Sequence, residues 1–525
     1  VYKRQLWGWP AVLPGETQDL DRALREAVAY AEQTSAGVSV HLVEMSSNRS
    51  VFDRRPDEPR IIASNTKLFT TAAALDRLGP GFFFETNVLM RGRRRGASLT
   101  GDLAVVGGGD PNISGRHYEG DSLAVFRSWA AAIKDKGIQK VEGDVFLVHG
   151  FFEPPRVHPD WPRDQLSKWY EAPVESLSFN DNCVLVRVWP GKSIGDPARV
   201  EMVPDLSIFK VQNSAKTIGS SRRHKVIVDR VNGSQVVSIS GSVFQHAAPV
   251  EAWVTVPDPL TYFAAALRRA FDEEGIDLEG SVLFSRHLPV AHWEWAAGYR
   301  TDLMTTAEVI NKRSQNFFAE SLLKLMGAEL CGEGSWEAGK MVVEEFLERL
   351  NIAPGTYQMA DGSGMSRHNL FTARQITSLL RFMYFHPRGR DFLLTLPYSG
   401  EPGLKWERRL AEPPYRGNVF ANGVSVAGGA ADTVDNLENA FIQNTSILFT
   451  VTVTASAING DGVPYNGDTT DQDFALVCFN CILNEAPVAR CQDVTVSAGA
   501  DCTADASIDD GSSDPDGDPF TLSQN

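Results

Sequence analysis

Ser64-Asn65-Thr66-Lys67 sets a hydroxyl and an amine three residues apart. On the first turn of a helix such a pair shares one face. A lysine there takes the serine proton when burial and neighbouring cations weaken its own hold on a proton. The serine amide, at the positive end of the helix, helps hold a developing oxyanion. That is the chemistry of acyl transfer through a Ser–Lys nucleophile. Judged alone, the pair reads as a helix cap with an exposed lysine, since about one Ser-x-x-Lys is expected by chance in a chain of this size. A second copy, Ser321-Leu-Leu-Lys324, lies in mid-helix with no turn to expose it and reads as incidental. Context favours the first. Downstream stands Ser314-Gln315-Asn316, whose hydroxyl and amide would point apart on a regular helix. A working Ser-x-Asn must therefore sit on a turn between helices. Asp361-Gly-Ser-Gly-Met-Ser-Arg367 adds a glycine-rich turn before another helix, and a structural role suits it better than a catalytic one.

The elements that must hold these residues are legible from their periodicity. DLDRALREAVAYAEQT (19–34) has helical spacing and GVSVHLVE (37–44) alternates like a strand, with a hairpin return over 51–63. A helix runs from Ser64 to about Leu78, with Ser64 as its first residue and Gly79-Pro80 as its stop. From about residue 85 the chain turns to short β-branched strands and glycines, interrupted by the helix SLAVFRSWAAAIKDKG. Helical patterns return at 257–275, 307–327, 335–350 and 372–385. The expected organisation is a first catalytic part over 1–84, with residues 1–5 set apart as an artefact. A mostly β insertion follows over 85–290, then a second catalytic part over 291–421. After these come a β-sandwich module over 422–485 and a partial immunoglobulin-like module over 486–525. The start at Val1 and the end at Asn525 read as those of a fragment open at both ends.

Several blocks in this order resemble one family. They are ASNTKLFTTAAAL (63–75), GDLAVVGGGDP (101–111), YEAPVESLSFNDN (170–182), INKRSQNFFAESLLKLMG (310–327), DGSGMSRHN (361–369) and YRGNVFA (415–421). Over about 15–421 the chain resembles the class C low-molecular-mass penicillin-binding proteins, the periplasmic D-alanyl-D-alanine carboxypeptidases and endopeptidases. The resemblance implies an α/β (α+β) serine β-lactamase/DD-peptidase-like transpeptidase fold with a large, mostly β insertion, followed here by all-β modules. It implies peptidoglycan stem peptides as substrate, β-lactams as covalent inhibitors, a periplasmic or extracellular location and no cofactor. Carried over residue by residue, Ser64 is the nucleophile and Lys67 the general base for acylation. Ser314 relays the proton towards the leaving amine, and Asn316 hydrogen-bonds the substrate backbone.

One part of the pattern is missing. The family's third motif, Lys-Thr-Gly, supplies a cation for the substrate carboxylate and an oxyanion-hole amide. It should follow YRGNVFA, but Ala421 is followed by Asn422-Gly423 and no lysine occurs beyond Lys405. Lys216-Thr-Ile-Gly219 has one residue too many and lies inside the insertion. DTVDNLENAFIQN, TVTVTASAINGDG and DQDFALV resemble accessory β-sandwich domains of secreted subtilisin-like proteases. The last segment resembles bacterial extracellular immunoglobulin-like repeats. A chimeric reading frame joined near 421 is the expected explanation, and the catalytic domain is then incomplete. The alternative function is that of a non-catalytic extracellular binding or adhesion protein.

Charge shows the same junction. The 525 residues have a formal net charge of −16, yet residues 1–421 hold 49 basic and 50 acidic side chains. Residues 422–525 hold one basic residue, Arg490, against 16 acidic ones. That balance excludes a general nucleic-acid binder, and no apolar run reaches the length of a membrane span. Cys478-x-x-Cys481 lies in a segment with no histidine and reads as part of a disulfide framework, not a zinc site. Asp514-Pro-Asp-Gly-Asp518 lacks the ligand spacing of an EF-hand and reads as a solvated turn. Gly107-Gly-Gly-Asp110 reads as a turn, and His287 and His292 have no third ligand to suggest a metal. The stretch His292-Trp-Glu-Trp295 is expected to pack between insertion and catalytic domain, and Arg91–Arg95 to form a solvated hairpin tip.

Overall fold

The computed structural model describes residues 37–404 apart from 46 and 232, part of a helix within 22–32, residues 407–408, and the strands Val419–Asn422, Glu438–Ile442 and Asp473–Phe479. The acidic segment 510–518 and the cysteines from Cys481 onward lie outside the described residues.

Two layers position the site. The strand Gly37–Val43 is buried along its whole length, including the alternating polar positions Ser39 and His41, because it lies inside the sheet with a partner on each side. It pairs antiparallel with Ser50–Arg54 on one side and parallel with Asp473–Phe479 on the other. The sheet continues through Glu438–Ile442 to Val419–Asn422. The segment expected to form a separate sandwich over 422–485 thus contributes two described strands to the sheet that carries Gly37–Val43.

Against this layer stands a helical body. Helix Thr66–Arg77 is its centre, buried over ten successive residues from Thr66 to Leu75. A helix with no exposed face over this stretch must be surrounded on all sides. It is packed by Leu303–Arg313, Asn316–Cys331, Trp336–Arg349 and Gly389–Thr395. Phe69 stacks on Phe371 at 4.3 Å, and Phe317, Phe346 and Trp336 complete the core.

The insertion has its own cores. A seven-stranded sheet, with Ser98–Val106 and Phe83–Arg95 at its centre, packs on helices Ala124–Asp135 and Pro259–Glu273 through Phe126, Trp129, Phe179 and Phe263. A smaller β cluster gathers Val184, Val186, Val237 and Ile239. The strand Glu294–Asp302, expected in the returning catalytic part, pairs with Phe83–Arg95 and so closes the insertion's sheet. This corrects the expectation for the Trp-rich stretch. Trp293 packs on Phe146 and under the Arg91 guanidinium, and Trp295 donates to Asn87, all within the insertion. Strand pairing along Glu294–Asp302 fixes those indoles to the insertion's face. Gly107–Asp110 is an irregular segment instead of the expected turn, with the Gly107 and Gly109 amides donating to the carbonyls of Val148 and Ser176, and a turn follows at 111–112, where the Asn112 amide donates to the Asp110 carboxylate at 2.9 Å.

Candidate active site

Ser64 lies in a short 3-10 turn, Ala63–Asn65, immediately before helix Thr66–Arg77. The residue at the N-cap of that helix is Asn65, not Ser64. The Lys67 ammonium donates to Ser64 Oγ at 3.0 Å, and Lys67 has no exposed surface. The cap-and-exposed-lysine reading is therefore excluded. Ala63, the residue before Ser64, has φ +43°, a left-handed conformation that costs a non-glycine residue of order 1–3 kcal/mol. Close packing holds it there: a Cβ on Gly364 would stand 1.8 Å from the Ala63 carbonyl oxygen, and Gly364 itself has φ +85°.

Ser314 reaches the same point from the other side. Helix Leu303–Arg313 ends at Ser314 in the left-handed conformation, and Asn316–Cys331 begins two residues later. The periodic pattern over 307–327 hides this break, but the two-residue spacing of Ser314 and Asn316 demands it. Ser314 Oγ donates to Ser64 Oγ at 3.0 Å. Asn311, one turn earlier, fixes the approach by donating to Thr71 at 3.1 Å and Thr395 at 2.8 Å. Asn316 shares the turn, yet its side-chain amide donates to the Tyr170 carbonyl at 3.0 Å and lies 3.8 Å from Met365 Sδ. Ser64, Lys67 and Ser314 thus form one hydroxyl–amine–hydroxyl cluster, with Asn316 held on its rim. The second Ser-x-x-Lys has no such arrangement. Ser321 donates back to the Phe317 carbonyl, and Lys324 turns to the carbonyls of Glu153 and Pro155.

The turn at 361–367 supports Lys67. The Ser363 carbonyl accepts from Lys67 Nζ at 2.7 Å, and the Gly362 carbonyl accepts from Thr70 at 2.8 Å. Two buried carboxylates shape that turn. Asp361 accepts from the amides of Gly364 and Ser366 at 2.8 and 2.6 Å and from the Trp161 indole at 3.0 Å. Glu320 accepts from the amides of Ser363 and Gly362 at 2.7 and 3.0 Å, and from the Trp336 indole at 2.7 Å. Burial, reinforced by the nearby Asp361 charge, holds the Glu320 carboxyl well above the ordinary carboxylate range. Sequence reasoning missed Glu320. The available signal was an acidic residue inside the otherwise apolar run NFFAESLLKLMG, four positions after Asn316.

Two further carboxyls stand beside the 314–316 turn, next to its partner Tyr170 and against Gln315. Glu171 follows Tyr170, is fully buried, and has neither carboxyl oxygen hydrogen-bonded among the described residues. Burial pushes it up to about 8. Asp181 pairs with Arg116 at 2.5 Å and accepts from the Gln315 amide at 2.9 Å, while burial raises its carboxyl against the pull of Arg116. Among the described residues no group of His, Cys, Asp and Glu could hold a metal ion, and no helix is long and apolar enough to cross a membrane.

The sheet, the buried helix behind it and the β insertion together make an α/β serine DD-peptidase fold. The chain belongs to the D-Ala-D-Ala carboxypeptidase 3 (S13) family, whose model matches residues 17–437. It is a serine-type D-alanyl-D-alanine carboxypeptidase and a hydrolase of the penicillin-binding class. It is 29% identical over 443 residues to a D-alanyl-D-alanine carboxypeptidase of Actinomadura sp. (strain R39), covering 82% of this chain and 77% of that one. It is 25% identical to the D-alanyl-D-alanine carboxypeptidase DacB of Haemophilus influenzae, covering 73% and 79%. The crystal structure of penicillin binding protein 4 from Haemophilus influenzae superposes with a TM-score of 0.63 at 24% identity, over 73% of this chain and 83% of that one. The same protein complexed with a novel β-lactam gives 0.59.

Proposed function

We propose that Ser64 is the nucleophile of this carboxypeptidase, acting on the D-Ala-D-Ala ends of peptidoglycan stem peptides in the periplasm or outside the cell. The observation that carries the proposal is the buried cluster in which Lys67 and Ser314 both contact Ser64 Oγ at 3.0 Å. In the first step the Lys67 contact reverses. Lys67 as a neutral amine accepts the hydroxyl proton while Ser64 Oγ bonds to the carbonyl carbon of the penultimate D-Ala. The tetrahedral intermediate then expels the terminal D-Ala amine, which takes a proton passed through Ser314 Oγ. Water next cleaves the acyl-Ser64 ester, releasing the shortened peptide and restoring the hydroxyl. Asn316, held on the rim by Tyr170, hydrogen-bonds the substrate backbone. β-Lactams acylate the same oxygen.

The absence of Lys-Thr-Gly after Ala421 bears on rate. Loss of one oxyanion donor costs about 10²–10³ in rate, so turnover is slow while the Ser64 acyl-enzyme still forms. The same absence favours a second reading, a non-catalytic envelope-binding protein. Release of D-Ala from a peptide ending in D-Ala-D-Ala decides between them. Release by the parent chain and none by Ser64→Ala supports the enzyme, whereas equal background from both supports the binding protein.

A further inference from the structure

Two features of the sequence take no part in the chemistry at Ser64: the Trp-rich stretch at 292–295 and the arginine run Arg91–Arg95. Strand pairing brings them onto one surface. Helices Ala124–Asp135 and Pro259–Glu273 cover one face of the insertion's large sheet. On the other face, register sets Trp295 opposite Leu89, Leu89 opposite Ala104, Ala104 opposite Phe146 and Phe146 opposite Leu283. Residues directly opposite share a face. One apolar row thus crosses five adjacent strands, about 19 Å at the usual strand spacing. Trp295 is 61% exposed and Leu283 38%.

The indoles are fixed as surfaces. The pairing register shifts between Trp295 and Ala297, and such a shift re-aims a side chain. The Trp295 indole nitrogen donates to Asn87 Oδ1 at 3.2 Å and lies 3.4 Å from where a Cβ on Gly298 would stand, so the glycine leaves the room that the ring uses. With its N–H engaged, the exposed ring offers apolar surface. Trp293 is held in a similar way, its N–H donating to the Pro289 carbonyl at 2.9 Å and the Arg91 guanidinium 4.8 Å from its ring centroid. Positive charge borders the row. Arg91, Arg93 and Arg95 alternate onto the same face of their strand. Arg91 is matched by Asp102 at 2.7 Å, whereas Arg93 and Arg95 continue onto the exposed hairpin. Lys136 brings a further ammonium to 5.9 Å from the Trp295 ring.

An aromatic row beside a cationic hairpin fits a polymer with ring faces for the indoles and acidic groups for the arginines. The glycan strand of peptidoglycan has both. Its amino sugars present C–H faces, and every second sugar bears a lactyl group that ends in a carboxylate or in an acidic stem peptide. The surface is also joined firmly to the active site. Strand Glu294–Asp302 runs about 20 Å from Trp295 to Asp302. There the Asp302 carboxylate caps helix Leu303–Arg313 by accepting from the Thr305 amide at 2.7 Å, and that helix ends at Ser314. We propose that this sheet face docks the glycan strand of peptidoglycan, with sugar rings stacked along the row that begins at Trp295 and acidic groups towards Arg93 and Arg95. The choice of ligand rests on the peptidoglycan substrate proposed above, but the contact itself does not involve Ser64.

The test measures, by calorimetry on the full chain, binding of soluble glycan strands freed of stem peptides by an amidase. Removing the peptides takes the Ser64 site out of the measurement. Trp295→Ala should weaken binding about 10-fold, or about 1.4 kcal/mol, and Arg93→Glu should weaken it by a similar factor at low salt. Arg93→Glu, on the exposed hairpin, carries the test if Trp295→Ala does not fold. Strands that do not bind, or that bind both variants as tightly as the parent, overturn the proposal. So does polyglutamate that binds as tightly as the strands, since charge alone would then suffice. A dimer in sedimentation that Trp295→Ala dissociates also overturns it, since a second copy would then cover the face. Penicillin labelling reports separately on Ser64: its loss with glycan binding intact counts against the nucleophile and not against this surface, so the two failures are distinguishable.

Discussion

Glu320→Gln is the most informative single perturbation. The carboxylate accepts three N–H donors, two from the backbone of the 361–367 turn and one from Trp336. A glutamine retains one acceptor oxygen. If that oxygen keeps the two donors on Oε2, its NH₂ must face the Ser363 amide, which now lies 2.7 Å from Oε1. Donor meets donor in a fully buried position, and leaving a buried donor unpaired costs about 1–3 kcal/mol. The turn can relieve this only by moving Ser363, whose carbonyl is the anchor of Lys67 at 2.7 Å. If that cost is expressed in the acylation transition state, the rate falls by about 10–100-fold, at roughly 1.4 kcal/mol per factor of ten. The assay is the second-order rate of fluorescent-penicillin acylation per folded molecule, with the folded fraction taken from circular dichroism. A variant that acylates at the parental rate, or that loses activity only in proportion to unfolded protein, would show that Glu320 does not position Lys67.

Three further outcomes follow from the same geometry. Ser314→Ala should slow acylation by about 10²-fold or more, the usual worth of a positioned proton-transfer group; a parental acylation rate in stopped-flow labelling would remove Ser314 from the reaction. Gly364→Ala would place a Cβ 1.8 Å from the Ala63 carbonyl, so both the melting temperature and penicillin labelling should fall, and an unchanged melt would contradict the packing described. Glu171, raised to about 8 by burial, binds its proton more tightly folded than unfolded, so its contribution is intact below about pH 4.5 and declines as pH rises towards 8. Thermal melts of Glu171→Gln should lose less stability than the parent between pH 5 and pH 8, and parallel curves would refute the assignment.

The three residues proposed to react were legible in the sequence, but their supports were not. Ser64 and Lys67 are three residues apart and share a helical face, so local periodicity exposes them. Ser314 was legible through a geometric demand, since its two-residue spacing from Asn316 requires a break that helical periodicity conceals. Glu320, Glu171 and Asp181 derive their importance from burial against distant partners, and no local pattern carries that. Lys67 shows the limit well: its anchor, the Ser363 carbonyl, lies 296 residues away. The Trp-rich stretch was misplaced for a related reason. Indoles signal packing without naming the surface they pack on, and pairing of Glu294–Asp302 with Phe83–Arg95 decides that. Composition changes near 421, but it says nothing of strand pairing, and Asp473–Phe479 lies beside Gly37–Val43.

The central claim is that Ser64 Oγ, prepared by Lys67 and Ser314, is the atom that becomes acylated. Peptide mapping by mass spectrometry after incubation with benzylpenicillin tests it directly. The account predicts one penicilloyl adduct on the peptide containing Ser64, absent in Ser64→Ala and strongly reduced in Lys67→Ala. Folded protein that carries no adduct, or an adduct that persists in Ser64→Ala, would contradict it.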